Sequence, residues 1–205
     1  MMKLYWSPRT RSFSSLWLME ETGQPYERVL IDISTGAQKK PEYLAINPMG
    51  KVPAIRHGEA VITEQVAIYL YLADLYAEAG LAPPIGDPLR GPYLRWMAFY
   101  GSCFEPAVID AWMKREPVQK QACGYGDHET VLTTVIGQLS NGPYLLGERF
   151  SAADVLWGSS LSWMNAFGLL PDTPVIAAYI ERFQKLPATI AANEKDGALA
   201  AAQAA

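Results

Sequence analysis

Asn47-Pro48-Met49-Gly50-Lys51-Val52-Pro53-Ala54-Ile55, followed by His57-Gly58-Glu59, Val61-Ile62 and Thr63-Glu64-Gln65-Val66-Ala67-Ile68, is the stretch on which the reading of this chain turns. Val52 to Ile55 predicts a short strand and Ala60 to Ile62 its partner, with Gly58 in the turn supplying a positive φ. Pro53 carries no N–H, so it cannot sit in the middle of a fully paired strand. A cis Val52-Pro53 bond would turn the Val52 main chain outward, where its N–H and C=O can pair with an extended ligand as an added strand would. The plainer reading of the same residues is an edge-strand proline followed by an ordinary helix.

A helix is predicted from Glu64 to about Glu78, with Thr63 as its N-cap. Its first turn offers unpaired N–H groups and the positive end of a dipole, with Glu64 and Gln65 beside any anion held there. A ligand matching both halves has a peptide-like backbone and a carboxylate.

The rest of the chain frames this device. Its 205 residues are 50% hydrophobic and 19% charged, enough for one large core or two modest ones. Net charge is −4 and no run of Lys or Arg occurs, which argues against a nucleic-acid partner. No apolar run approaches the roughly 20 residues of a membrane span. Met1-Met2-Lys3-Leu4-Tyr5 leads directly into a strand without a secretory pattern, and a cytoplasmic location is expected. Two cysteines, Cys103 and Cys123, make no disulfide framework and are expected to be reduced. With only His57 and His128 beside them, no metal site is expected.

Lys3 to Trp6 reads as a strand, Ser12 to Thr22 as a helix stopped by Gly23 and Pro25, and Tyr26 to Ile31 as a second strand. Pro41 to Ala45 is a short helical piece. The order βαβ, short helix, ββα predicts an α/β domain on a four-stranded mixed sheet over residues 1–78. Residues 79–87, rich in Gly and Pro, read as a linker. Residues 88–205 carry only helical patterns and predict an all-α helical bundle domain: a long helix over 88–113, then Asp127 to Leu139, a helix capped by Ser151 and Asp154, and two more to about Ala201. Phe150 is placed to staple the capped helix against Val155. Pro106 inside the long helix predicts a kink near Ser102. The Ala-rich stretch from Gly197 is expected to fray.

This chain resembles the glutathione S-transferase family over essentially its whole length. Asn47 to Ile55 matches the family's cis-proline segment in a thioredoxin-like domain. Tyr144-Leu145-Leu146-Gly147 and Phe150-Ser151-Ala152-Ala153-Asp154-Val155 match the capping-box segment of its helical domain. The resemblance implies that Val52, before Pro53, pairs with the cysteinyl unit of glutathione. It also implies that Glu64 and the residue after it hold the γ-glutamyl end. The family has serine at that second position and this chain has Gln65, which keeps a backbone N–H and adds an amide donor. Gln38 and Lys51 stand where relatives often reach the glycyl carboxylate. A homodimer and a role in detoxification are implied on the same ground.

Chemistry then means ionising the glutathione thiol. A free thiol with a pKa of about 8.5 is only about 3% thiolate at neutral pH. Lowering that pKa by about two requires roughly 2.7 kcal/mol of preferential anion stabilisation. A hydroxyl, a helix N-terminus and a guanidinium can supply this together. The first β–α loop offers Ser7, Arg9, Thr10, Arg11, Ser12 and Ser14. Arg11 stands where the bacterial cysteine-using class has its cysteine, so no mixed-disulfide mechanism is expected. Ser12 with Arg11 in support is the first assignment and Thr10 the second; Ser12 as a helix cap is the structural alternative.

A small hydrophobic electrophile is expected against Trp96, Phe99, Tyr100, Cys103 and Phe104, although an aromatic stripe at helical spacing is ordinarily core. Cys103 is open to either reading, as a small hydrophobe or a reactive thiol. The implied activity is thiolate attack on such electrophiles. Glutathione-dependent isomerisation, dehalogenation and ether cleavage, and a non-catalytic glutathione- or ligand-binding stress protein, are the rival readings.

Overall fold

A computed structural model describes residues 1–115 and 119–204. They fall into two compact units, Met1–Leu81 together with Gln184–Ala205, and Ala82–Phe183.

The first unit is built on a four-stranded sheet in the order β2-β1-β3-β4. β1 (Met2–Trp6) lies parallel to β2 (Tyr26–Leu30), which the chain reaches through α1 (Ser12–Thr22). β3 (Ala54–His57) is antiparallel to β1, with Tyr5 opposite Ala54, and β4 (Ala60–Ile62) returns antiparallel to β3. The mixed sheet and the βαβ-ββα order are those expected. Strand β3 starts two residues later than predicted, because the ladder ends at Ala54 and leaves Val52 and Pro53 outside it. The turn into β4 contains Gly58 at φ 60, and His57 belongs to the strand rather than the turn.

Side chains alternate across β1, as strand geometry requires. Tyr5 packs on one face with Ile31, Tyr43 and Ala54, under the short helix α2 (Pro41–Leu44). Leu4 and Trp6, both almost fully buried, face the other way. Helix α1 is covered by the sheet, by α3 (Gln65–Leu75) and by α9 (Pro187–Ala204), so Leu16 to Met19 are all buried rather than only one stripe. Gly23 ends α1 in the left-handed region at φ 65, where its N–H caps the Glu20 carbonyl.

Helix α9 differs from expectation in two ways. It is continuous to Ala204 rather than frayed from Gly197, and it packs on α1 in the first unit. Lys195 gives the reason for the second: its ammonium bonds Glu20 Oε1 of α1 at 2.6 Å and lies 5.7 Å from the Tyr26 ring. Buried Ala192 and Ala200 make a smooth apolar side for the close approach.

The second unit is helical. The long helix predicted over 88–113 is present as α4 (Arg90–Phe99), a π-helical turn (Tyr100–Phe104) and α5 (Glu105–Trp112). Pro106 cannot donate to the carbonyl one turn back, and the widened turn lies where that bond would fall. Within this turn the Ser102 hydroxyl donates back to Ala98 O at 2.7 Å. Helix α6 (His128–Leu139) is capped by Asp127, and α7 (Ala152–Ala166) and α8 (Pro174–Gln184) complete the unit.

Trp157 of α7 is its centre. The indole N–H donates to Trp96 O at 3.0 Å, and the rings of Trp96, Tyr100 and Phe104 surround it at 4.7–5.7 Å between centroids. Asp154, fully buried, receives four donors. Leu145 N–H and Tyr179 hydroxyl bond Oδ1 at 2.8 and 2.9 Å, and Ser151 N–H and hydroxyl bond Oδ2 at 2.9 and 3.0 Å. Phe150 makes its ring contacts with Tyr144 and Phe183.

Candidate functional site

Val52 sits between the end of the β3 ladder and the turn from Asn47 to Gly50. The Val52-Pro53 bond is cis. The carbonyl before Val52 is fixed from below: Lys51 O accepts from the Tyr43 hydroxyl at 2.6 Å and from Asn47 Nδ2 at 2.8 Å. Among the described residues, none bonds the Val52 main-chain N–H or C=O. A half-buried peptide edge with both groups unpaired is a place for an extended ligand to dock.

Gly50 makes the turn possible. It lies at φ 61, and a Cβ there would stand 2.7 Å from the Gln38 carbonyl oxygen. That close approach brings Gln38 and Lys39 against the turn, and Lys39 Nζ bonds Met49 O at 3.2 Å. Gln38 is half-buried, and its Oε1 is buried with no partner among the described residues. The Lys51 side chain is exposed.

Helix α3 begins differently from the expected Thr63 cap. Glu64 is the N-cap, with φ 66 and ψ 119 and no capping side chain, because a left-handed residue directly before the helix carries Thr63 out of capping reach. Such a backbone is costly for a non-glycine residue and persists only where its surroundings fix it. The first N–H groups of α3, from Gln65 and Val66, have no partner among the described residues. An anion fits there.

Gln65 reaches away from that helix end. Its amide nitrogen donates to the Arg11 carbonyl at 3.4 Å and to the Ser14 hydroxyl, and Ser14 in turn donates to Arg11 O at 2.9 Å. The side chain thus joins the start of α3 to the start of α1. A serine at this position is too short for that reach.

The first β–α loop is closed by its own hydroxyls. Ser7 N–H donates to Ser12 Oγ at 2.9 Å, and Ser12 Oγ donates to Ser7 O at 2.8 Å. Thr10 Oγ1 donates to the same carbonyl at 2.8 Å, lies 2.7 Å from Ser12 Oγ, and accepts from Ser12 N–H at 3.2 Å. Ser12 is 0% exposed, whereas Thr10 is half-buried and Arg11 exposed. Arg11, not Ser12, is the N-cap residue of α1. Two hydroxyl protons therefore serve three short contacts. Thr10 can turn its proton elsewhere while Ser12 takes over the bond to Thr10 or Ser7, and no buried acceptor is stranded.

Residues 1–74 match the family model described as glutathione S-transferase, N-terminal domain. The chain is 39% identical over 165 residues to glutathione S-transferase 3 of Zea mays, covering 75% of this chain and 73% of that one. The chain belongs to the glutathione S-transferase family. Among solved structures, a glutathione transferase from Methylococcus capsulatus is 34% identical with a TM-score of 0.79, covering 96% of this chain and 99% of that one. A glutathione transferase homolog from Sulfitobacter with bound glutathione is 30% identical with a TM-score of 0.75, covering 95% and 98%.

In this transferase the aromatic stripe of the second unit divides. Trp96, Tyr100 and Phe104 are at most 2% exposed and make the core around Trp157. Phe99 and Cys103 are half-buried, and they lie on either side of Tyr100 at the π-helical turn. Trp96 also lines a groove of about 570 Å³ with Leu89, Arg95, Leu145 and Leu146. Among the described residues, no grouping of His, Cys, Asp and Glu could hold a metal ion, and no helix is long and apolar enough to cross a membrane.

The Arg11, Ser14 and Gln65 tie is a site feature that sequence reading missed. Gln65 stood out only as a departure from serine, and nothing in its spacing signals a partner 51 positions away.

Proposed function

We propose that this transferase binds glutathione along Val52 and the start of α3 and activates its thiol at Thr10, for attack on a small hydrophobic electrophile. The observation that carries the reading is that the Val52 main chain and the first turn of α3, in the same unit, are both unpaired among the described residues. The cysteinyl backbone pairs with Val52, beside Pro53. The γ-glutamyl carboxylate takes the Gln65 N–H, and Glu64 takes the α-amino group. Gln38 and Lys51 hold the glycyl carboxylate, with a donated N–H from the ligand satisfying the buried Gln38 Oε1.

For the chemical step, Thr10 donates its hydroxyl proton to the thiolate, Ser12 holds Thr10 through the shared network, and Arg11 adds positive charge. Ser12, the first choice on sequence, is enclosed by the loop, and that ranks Thr10 ahead of it. The functional division keeps residues 1–78 for glutathione and 79–87 as linker, and of the expected 88–205 takes 88–183 for the electrophile, since 184–205 fall in the first unit; Phe99 and Cys103 are the members of the stripe available to the electrophile. A cytoplasmic homodimer that removes electrophiles is proposed on the family resemblance.

Thiolate ultraviolet absorbance of bound glutathione, followed across pH, tests this. The midpoint should lie well below that of the free thiol, about 8.5, and Thr10→Val should move it back up by about one unit or more. A bound midpoint equal to that of free glutathione would sink the thiol-activating reading in favour of a binding protein.

A further inference from the structure

We propose that Asp196, on α9, is a positioning residue for thiol activation: it holds the Arg9 N–H and so sets the turn that presents Thr10. The inference rests on the reading of Thr10 as the thiol's donor.

Arg9 lies in the left-handed region at φ 55. A non-glycine residue holds that conformation only against a cost, and glycine would be the ordinary choice. What fixes Arg9 comes from the far end of the chain. Its N–H donates to Asp196 Oδ2 at 3.1 Å, across 187 positions of sequence. The next residue is Thr10, whose hydroxyl lies 2.8 Å from Ser7 O and 2.7 Å from Ser12 Oγ. Releasing Arg9 N–H would free the turn between Ser7 and Ser12 on the side that their hydroxyl network does not reach.

Asp196 is poorly explained as a stabilising group. It is 9% exposed, and its Oδ1 is buried without a partner among the described residues. Burial pushes its carboxyl above the usual range, and the Arg9 N–H and charge only partly offset this. An apolar residue at this helix position would avoid the desolvation penalty. What an apolar residue cannot do is accept the N–H of Arg9. Neighbouring Lys195 already bonds Glu20 near the other end of α1, so attachment of α9 does not depend on Asp196 alone.

The test uses the full chain carrying Asp196→Ala or Asp196→Asn. Two quantities are read: hydrogen exchange of the loop over residues 7–13 without glutathione, and the thiolate titration at saturating glutathione. Asp196→Ala should speed loop exchange roughly tenfold. It should also lower the proton concentration at the thiol midpoint by about threefold or more. Asp196→Asn still offers an oxygen to the N–H and should stay within about twofold of wild type in both.

If Asp196→Ala does not fold, Asp196→Glu carries the test, since its oxygen lies one methylene too far out and should raise the thiol midpoint in the same direction. Unchanged loop exchange in the folded variants overturns the clamp whatever glutathione does. Faster exchange with an unmoved thiol midpoint makes Asp196 structural and overturns the positioning role. A wild-type midpoint equal to that of free glutathione removes the activation reading and this inference with it, even where exchange reveals the clamp.

Discussion

Two hydroxyls 2.7 Å apart, Thr10 and Ser12, are set different tasks by burial. Ser12→Ala removes the acceptor of Ser7 N–H, leaving that buried group unpaired, and one of the two donors to Ser7 O. It should lower unfolding free energy by about 1–3 kcal/mol in urea denaturation. Thr10→Val keeps the shape, leaves Ser7 O with Ser12 as its donor, gives up only the longer 3.2 Å bond from Ser12 N–H, and should cost less than about 1 kcal/mol while producing the larger fall in kcat. A larger stability loss for Thr10→Val than for Ser12→Ala would mean the two roles are reversed. Residue identity in the loop was legible in sequence, but not this division. Which of two neighbouring hydroxyls is enclosed depends on how Ser7 folds back over Ser12, a loop geometry with no sequence period to reveal it. Gln65 is a similar case: its amide tie to Arg11 and Ser14 needs both helix starts in place. Gln65→Ala should raise the KM for glutathione roughly fivefold, about 1 kcal/mol, by loosening that junction. An unchanged KM would confine the tie to folding.

Elements were more legible than residues because period and punctuation act locally. Gly23, Gly58 and Pro106 each marked a stop, a turn or a break where the structure has one. The kind of break was not legible, since Pro106 removes a bond in any helix and the π-helical turn is one of several ways to absorb it. Close approaches between elements were hidden altogether. A Cβ built on Gly158 of α7 would stand 2.5 Å from Cδ2 of Phe183, inside a ring cluster with Tyr144, Phe150 and Tyr179. Phe183 is 2% exposed and has little room to yield. Gly158→Ala therefore gains helix propensity worth about 1 kcal/mol and meets an overpacking cost of about 1–3 kcal/mol. The net effect should be a lower urea midpoint with an unchanged slope. A raised midpoint would show that the Phe183 ring moves aside freely.

At the scale of the whole molecule, the sequence divided the chain where strand patterns cease, but an amphipathic helix does not state which core it covers. Helix α9 follows the helices α4 to α8 of the second unit and nonetheless packs on α1, through contacts such as Lys195 to Glu20 that only the fold brings together. The buried capping acid of α7 carries a consequence for the stability of its unit as a function of pH. Burial pushes the Asp154 carboxyl from 3.8 up to about 6, while bonds from Leu145, Tyr179 and Ser151 pull the other way. Between those values the folded chain keeps a proton that the unfolded chain has released. By linkage, this group favours folding most on the acid side, and its contribution declines as pH rises through about 6 and then levels off. The shift corresponds to a change on the order of 3 kcal/mol. Asp154→Asn does not titrate, and its amide can satisfy only one of the two oxygen positions that each accept two donors. The variant should be less stable throughout, and its deficit relative to wild type should narrow between about pH 4 and about pH 7 in urea unfolding. A deficit that widens over that range would mean that the four hydrogen bonds outweigh burial and that the carboxylate is held charged.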